Sequence, residues 1–181
     1  MRRVSVVGNS GSGKSTLARR IAEVLDAPWI ELDAIHHLPG WQPIDPDEFV
    51  DRVDAITEAD TWVVDGNYRM VVVEGPVWAR ADTVVWLDLP RSTVVRQVAG
   101  RTLRRTVRRE HLWNGNREPF KNLWVWHHDS IVRWAWTQHG KYADRYSQAM
   151  ASPDLDRIEF VRLRSHAAAN EWIESLTPSH P

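Results

Sequence analysis

The 181-residue chain contains no cysteine. That excludes disulfides, cysteine-ligated zinc and a thiol nucleophile, and it fits a reducing compartment. It has little lysine, 3 residues against 20 arginines, and almost no net charge, 23 basic residues against 24 acidic ones. No apolar run approaches the roughly 18 residues of a membrane span. Met1-Arg2-Arg3 looks like the start of a secretion signal, but Val4–Val7 is too short for its apolar core and runs into Gly8. The expectation is a soluble cytoplasmic protein. At 43% hydrophobic and 26% charged residues the composition is that of an ordinary globular domain rather than a disordered or fibrous chain. The length suits one domain spanning 1–181, with no linker or internal repeat.

What is present is unevenly placed. Between positions 96 and 121 stand Arg96, Arg101, Arg104, Arg105, Arg108, Arg109, Arg117 and Lys121 against Glu110 and Glu118, a net of +6. The remaining residues sum to −7, so a total of −1 conceals a polarised molecule. Codon usage accounts for an overall preference for arginine; it does not account for this clustering. Arginine presents a planar fork to phosphate oxygens.

Short apolar runs alternate with amphipathic segments. Strands are expected at Val4–Val7, Trp29–Leu32, Thr61–Val64, Thr83–Leu87 and Arg157–Leu163. A helix follows the first strand and stops before Pro28. Asp45-Pro46-Asp47-Glu48 supplies an N-cap, a proline at the first helical position and an acidic first turn for a helix reaching about Ala59. Helical patterns occupy 91–112 and 119–138, and Ser165 caps a last helix to Leu176. The alternation predicts an α/β fold, a five-stranded parallel sheet with helices on both faces.

Between the first strand and its helix lies Gly8-Asn9-Ser10-Gly11-Ser12-Gly13-Lys14-Ser15, followed by Thr16. It fits G-x-x-x-x-G-K-[ST], in the strand-to-helix setting that the motif requires. Glycines let successive backbone N–H groups converge on phosphate oxygens, and the helix N-terminus adds positive potential. Lys14 is placed to reach the β- and γ-phosphates of a nucleotide such as ATP, and the Ser15 hydroxyl to ligate Mg²⁺. No Asn-Lys-x-Asp element accompanies the loop, which weakens a GTPase reading.

This loop, Leu32-Asp33, Val63-Val64-Asp65-Gly66-Asn67-Tyr68 and Leu87-Asp88-Leu89-Pro90 resemble the small kinase-like P-loop proteins. Among them the chain is most similar to the adenylate-kinase-related group often labelled "DNA topology modulation proteins", over nearly its whole length. The resemblance implies a three-layer P-loop NTPase fold with a helical, arginine-rich lid over 96–121 and an acceptor-binding insertion over 33–60. It implies ATP and Mg²⁺ as cofactors and phosphoryl transfer to a small acceptor, a nucleoside monophosphate or related metabolite. Asp65 would emerge at the carboxyl edge of the sheet, to hold a water of the Mg²⁺ shell or to orient the acceptor. Asp33 would contact the acceptor hydroxyl and take its proton, and Arg69 would meet an acceptor phosphate. Arg101 and Arg105 would close over the migrating phosphoryl group. Asn67 and Tyr68 replace the Phe-Pro of adenylate kinases, a departure that bears on the acceptor.

The remaining features admit blander readings. Asp88, before Pro90, is a strand-end turn residue. Asn114-Gly115 marks a turn at the tip of the lid. Phe120, Trp124, Ile131, Trp134 and Ala135 form a stripe expected to pack, with Trp126 and Trp136 nearby, while Trp41 or Trp113 is a candidate to stack on a base. His36-His37 and His127-His128 match no zinc spacing, and His36 and His37 are placed by Asp33 to line the acceptor pocket. The alternative to an enzyme is a nucleotide-binding regulator or DNA-associated factor whose basic helix meets nucleic-acid phosphates.

Overall fold

The computed structural model describes residues 1–108, 110–117 and 130–176. Five parallel strands, β1 (Arg3–Gly8), β2 (Trp29–Glu31), β3 (Trp62–Asp65), β4 (Thr83–Leu87) and β5 (Glu159–Leu163), pair in the order β2-β3-β1-β4-β5. The register sets Val4 beside Val63 and Thr83, and Val6 beside Asp65 and Val85. β3 and β4 are buried at every residue, so their sequences are continuous apolar runs, as a sheet covered on both faces requires.

The helices are α1 (Lys14–Leu25), α2 (Leu32–His36), α3 (Pro46–Thr57), α4 (Arg69–Val72), α5 (Pro76–Arg80), α6 (Arg91–Arg108), α7 (Ile131–Met150) and α8 (His166–Leu176). Alternate strand residues feed two cores. Val4, Val6, Val63 and Val85 meet Ile21 of α1, Val98 of α6, Ala135 of α7 and Ile173 of α8. On the other face Val7, Val64, Val84 and Trp86 meet Phe49 and Val53 of α3, Trp78 of α5 and Tyr146 of α7. Buried indoles find partners: Trp62 Nε1 donates to Thr57 O at 3.2 Å and Trp78 Nε1 to Ser5 Oγ at 3.1 Å.

The five expected strands are present. Asp45 caps α3, its carboxylate accepting from Asp47 N and Glu48 N at 3.0 and 3.2 Å. Other boundaries move. Leu32 opens α2 instead of closing β2. The helix after β4 ends by Arg108 among the described residues, because 111–117 form a closed loop. The segment expected as a helix over 119–138 lies outside the described residues up to 129, and from Ile131 it runs on to Met150. Gly140 masks that continuation in the sequence. Tyr142, Tyr146 and Ala149 recur at helical spacing and carry α7 from the first core to the second. The tryptophan stripe does not pack as expected. Ala135 is buried, but Trp134 and Trp136 are 50% and 53% exposed. Phe120, Trp124, Trp126, His127 and His128 lie outside the described residues.

Candidate functional site

The loop from Gly8 to Lys14 threads between the end of β4 and α6. A Cβ on Gly8 would stand 2.6 Å from Leu87 O, and one on Gly11 2.7 Å from Val98 Cβ; both glycines have positive φ, 148° and 81°. Only glycine tolerates both the backbone and the approach. Lys14 Nζ folds over the loop toward Asn9 O at 3.4 Å. Asn9 is buried and its side chain is spent within the protein: its Nδ2 donates to Ala135 O at 2.7 Å and its Oδ1 accepts from Ser10 N at 2.8 Å. It ties the loop to α7.

A second tether comes from β3. Asn67 Oδ1 accepts from Gly8 N at 3.2 Å and from Tyr146 OH at 3.0 Å, and Asn67 Nδ2 donates to Gly8 O. A phenylalanine there could make none of these bonds.

Three carboxylates meet at the carboxyl edge of the sheet. Asp65 ends β3 and is 3% exposed, with Oδ1 lacking a partner among the described residues. Burial raises its pKa above the ordinary value; the Lys14 charge and hydrogen bonding from Ser15 pull it part of the way back. Glu31 stands directly beside it in the β2–β3 register. Its pKa is also raised, first by burial and then by the charges of Asp65 and Asp33, against the lowering effect of Trp113 Nε1, which donates to it at 2.7 Å. Asp33, in α2, accepts from Tyr68 OH at 2.7 Å, with His37 Nε2 3.4 Å from the same hydroxyl. Burial and the Asp33 charge push the Tyr68 pKa up, so that hydroxyl remains a donor.

Two clefts open on this edge. The first, about 420 Å³, runs along the phosphate loop between α6 and α8, past Thr16, Gln97 and His166. The second, about 960 Å³, lies over β2 and β3 and holds Glu31, Asp33, Asp65 and Tyr68. Lys14, Ser15, Arg101 and Arg105 line both clefts and mark where they join. Arg104 lines the first cleft and pairs with Glu110 at 3.6 Å. The basic face of α6 is therefore turned into the clefts at three of its positions. Arg96 and Arg108 are exposed and line neither, and Arg109, Glu118 and Lys121 lie outside the described residues.

The oxygen donors suit a magnesium ion. The Ser15 hydroxyl and the unpartnered Asp65 oxygen present hard ligands on one side of the junction. Among the described residues no cluster of three or more His, Asp or Glu forms a complete protein cage. Magnesium typically binds with one or two carboxylates and completes its shell with phosphate oxygens and water.

Two of the expected acceptor residues stand elsewhere. Arg69 pairs with Glu74 at 2.5 Å, is 64% exposed and does not line the second cleft. His36 packs its ring on Tyr68 and Phe49, centroids 4.5 and 5.1 Å away, and its neighbour His37 lines the cleft instead. Burial lowers the His36 pKa. Asp88 accepts two bonds from the Arg162 guanidinium, at 2.7 and 2.9 Å, and holds β4 to β5. Glu31 carries the same sequence signal as Asp65, a carboxylate at a strand end, and only the parallel register shows the two side by side.

The cleft is roofed by two loops of one design. His37–Pro43 and His111–Arg117 each close with an antiparallel bridge, and Leu38 N to Gln42 O and Leu112 N to Asn116 O both measure 2.7 Å. The second loop grips the first. Asn114 Nδ2 donates to His37 O at 2.6 Å, Asn116 Nδ2 to Leu38 O at 3.0 Å, and Trp41 N to Asn116 Oδ1 at 3.0 Å. Trp41 and Trp113 meet edge to face, centroids 6.2 Å apart, at the mouth of the cleft.

No protein-family model matches this chain, and no curated protein matches its sequence. Solved structures do match its fold. A shikimate kinase from Acinetobacter baumannii in complex with shikimate aligns with TM-score 0.58 at 14% identity, covering 97% of this chain and 90% of that one. A shikimate kinase from Bacteroides thetaiotaomicron gives TM-score 0.54 at 14% identity, covering 97% and 96%. A sugar kinase from Janibacter sp. HTCC2649 gives 0.50 at 19% identity, covering 97% and 91%. The chain thus shares the α/β fold of these kinases over nearly its full length. Among the described residues no helix is long and apolar enough to cross a membrane.

Proposed function

We propose that this protein is an ATP- and Mg²⁺-dependent phosphotransferase that moves the γ-phosphoryl group to a hydroxyl of a small acceptor. The observation that carries this reading is the junction: two clefts share Lys14, Ser15, Arg101 and Arg105, so a nucleotide in one and an acceptor in the other meet at a cation-rich point. Lys14 and the loop N–H groups hold the β- and γ-phosphates. Ser15, and Asp65 through a water of the shell, would hold Mg²⁺, which would neutralise phosphate charge. Asp33, oriented by Tyr68 OH, receives the acceptor proton as the new O–P bond forms and the β–γ bridging bond breaks. Arg101 and Arg105 stabilise charge on the group in flight. Positioning and electrostatics carry the reaction.

The narrower resemblance to the topology modulation group belongs to the same proposal. Its support is Asp65-Gly66-Asn67-Tyr68, where Asn67 tethers the phosphate loop and Tyr68 orients Asp33. The test is ADP release from Mg·ATP across nucleoside monophosphates, nucleosides and small hydroxylated metabolites, with Lys14→Ala as the control. At least one acceptor should raise ADP release above the water background and Lys14→Ala should abolish the rise. A flat panel sinks the reading.

A further inference from the structure

The two clefts differ in charge. The first is lined by Lys14, Arg20, Arg101, Arg104 and Arg105, and by no Asp or Glu among its described residues. The second carries Glu31, Asp33 and Asp65. Its described lysines and arginines are Lys14, Arg101 and Arg105, all three shared with the first cleft, where a triphosphate draws on them. Neither of the nearby described arginines lines this cleft: Arg69 pairs with Glu74, and Arg117 donates to His111 Nε2 at 2.8 Å. What faces the body of the acceptor is therefore Glu31 and Asp33 with a wall of rings. Trp41 and Trp113 stand at right angles to one another, and His37 stacks on Trp113 with centroids 5.9 Å apart.

Among the described residues a phosphate or carboxylate on the acceptor would enter beside like charges without a lysine or arginine of its own, which disfavours it. Hydroxyl and ammonium groups suit the same surface. Carboxylate oxygens are pure acceptors, and aromatic faces cover the apolar side of a saturated ring or attract a cation. Resting on the phosphotransferase reading, we propose that the acceptor is a polyhydroxyl compound with no anionic group, a neutral sugar or cyclitol or its amino derivative. It lies against Trp41 and Trp113 with its reacting hydroxyl on Asp33 and a second hydroxyl or ammonium on Glu31. The nucleoside monophosphate implied by the resemblance is then not the acceptor.

The experiment compares kcat/KM for phosphate transfer from Mg·ATP to three groups: glucose and myo-inositol, glucosamine, and the anions AMP, CMP, gluconate and shikimate. In parallel, tryptophan fluorescence follows binding of the same compounds to the full chain loaded with a non-hydrolysable ATP analogue. A member of the first two groups should exceed every anion at least tenfold. Glu31→Gln should raise KM for an amino acceptor at least tenfold and for a neutral one by a smaller factor, which separates the two sources. If an anion is the best acceptor, the inference falls while the phosphotransferase reading stands. If no compound is phosphorylated, the phosphotransferase reading falls and binding decides the inference. Saturable quenching by sugars or amino sugars alone supports it; quenching by an anion, or by nothing, overturns it.

Discussion

Asn67 and Gly8 exchange two hydrogen bonds, Gly8 N to Asn67 Oδ1 at 3.2 Å and Asn67 Nδ2 to Gly8 O at 2.5 Å. Through this pair the end of β3, which carries Asp65, is locked to the start of the phosphate loop. Removing the amide orphans a buried donor and acceptor, a loss of about 1–3 kcal/mol. Asn67→Ala should therefore weaken ATP binding by about 5- to 150-fold, the equivalent of that energy. Calorimetric titration with ATP checks this. Unchanged affinity would show that the loop holds its shape without the clamp.

Arg101 and Arg105 are one helical turn apart on α6 and both reach the junction. An arginine acting on the phosphoryl group in flight is worth about 10³-fold or more in rate. Each alanine variant should lower kcat by about that factor while KM for ATP moves far less. Arg108, exposed on the same helix and outside both clefts, is the control; its alanine variant should stay within about twofold of wild type. Equal losses at all three positions would mean that the helix supplies only a general positive field.

The two roof loops make a second kind of prediction. Asn114 and Asn116 hold the 37–43 loop through His37 O, Leu38 O and Trp41 N, and so place Trp41 and Trp113 over the second cleft. Each bond contributes about 1 kcal/mol. An Asn114→Ala, Asn116→Ala double variant should raise KM for the acceptor by about tenfold or more and leave ATP affinity near wild type. A shift in ATP affinity instead would mean that the clasp stabilises the nucleotide cleft.

Much of this architecture can be read from short apolar runs and from one motif. The five strands show as apolar runs because a doubly covered parallel sheet leaves no polar face. The loop from Gly8 to Ser15 is recognisable because phosphate binding by backbone N–H groups demands glycine at fixed places. The strand-end setting of Asp88 suggests only a turn residue; its pairing with Arg162 of β5 is set by the sheet order. What the sequence hides is tertiary. Arg69 has the right spacing, but α4 turns it toward Glu74. His36 and His37 are neighbours in sequence, and only the local backbone decides that His37 enters the cleft. Glu31 gains meaning from a parallel register with Asp65, across more than thirty intervening residues that no local pattern spans.

Asp65 links function to stability. Its burial raises the carboxyl pKa above the ordinary 3.8 by more than the Lys14 charge and Ser15 hydrogen bonding lower it. A folded-state pKa above the unfolded one means that ionisation penalises the fold. The penalty is absent below pH 3.8, where both states are protonated, and grows as pH rises through the folded value. Asp65→Asn should therefore raise the melting temperature at pH 8, by about 2–4 °C per kcal/mol of relieved strain, and the gain should shrink as pH falls toward 4. On the proposed function the same variant should lose phosphotransfer, since an amide cannot carry the charge that the proposed Mg²⁺ site needs. Thermal unfolding of both proteins from pH 4 to 8, without and with Mg·ATP, checks the argument. A variant that melts below wild type at pH 8 without ligand would assign Asp65 a stabilising role in place of a stored cost for metal binding.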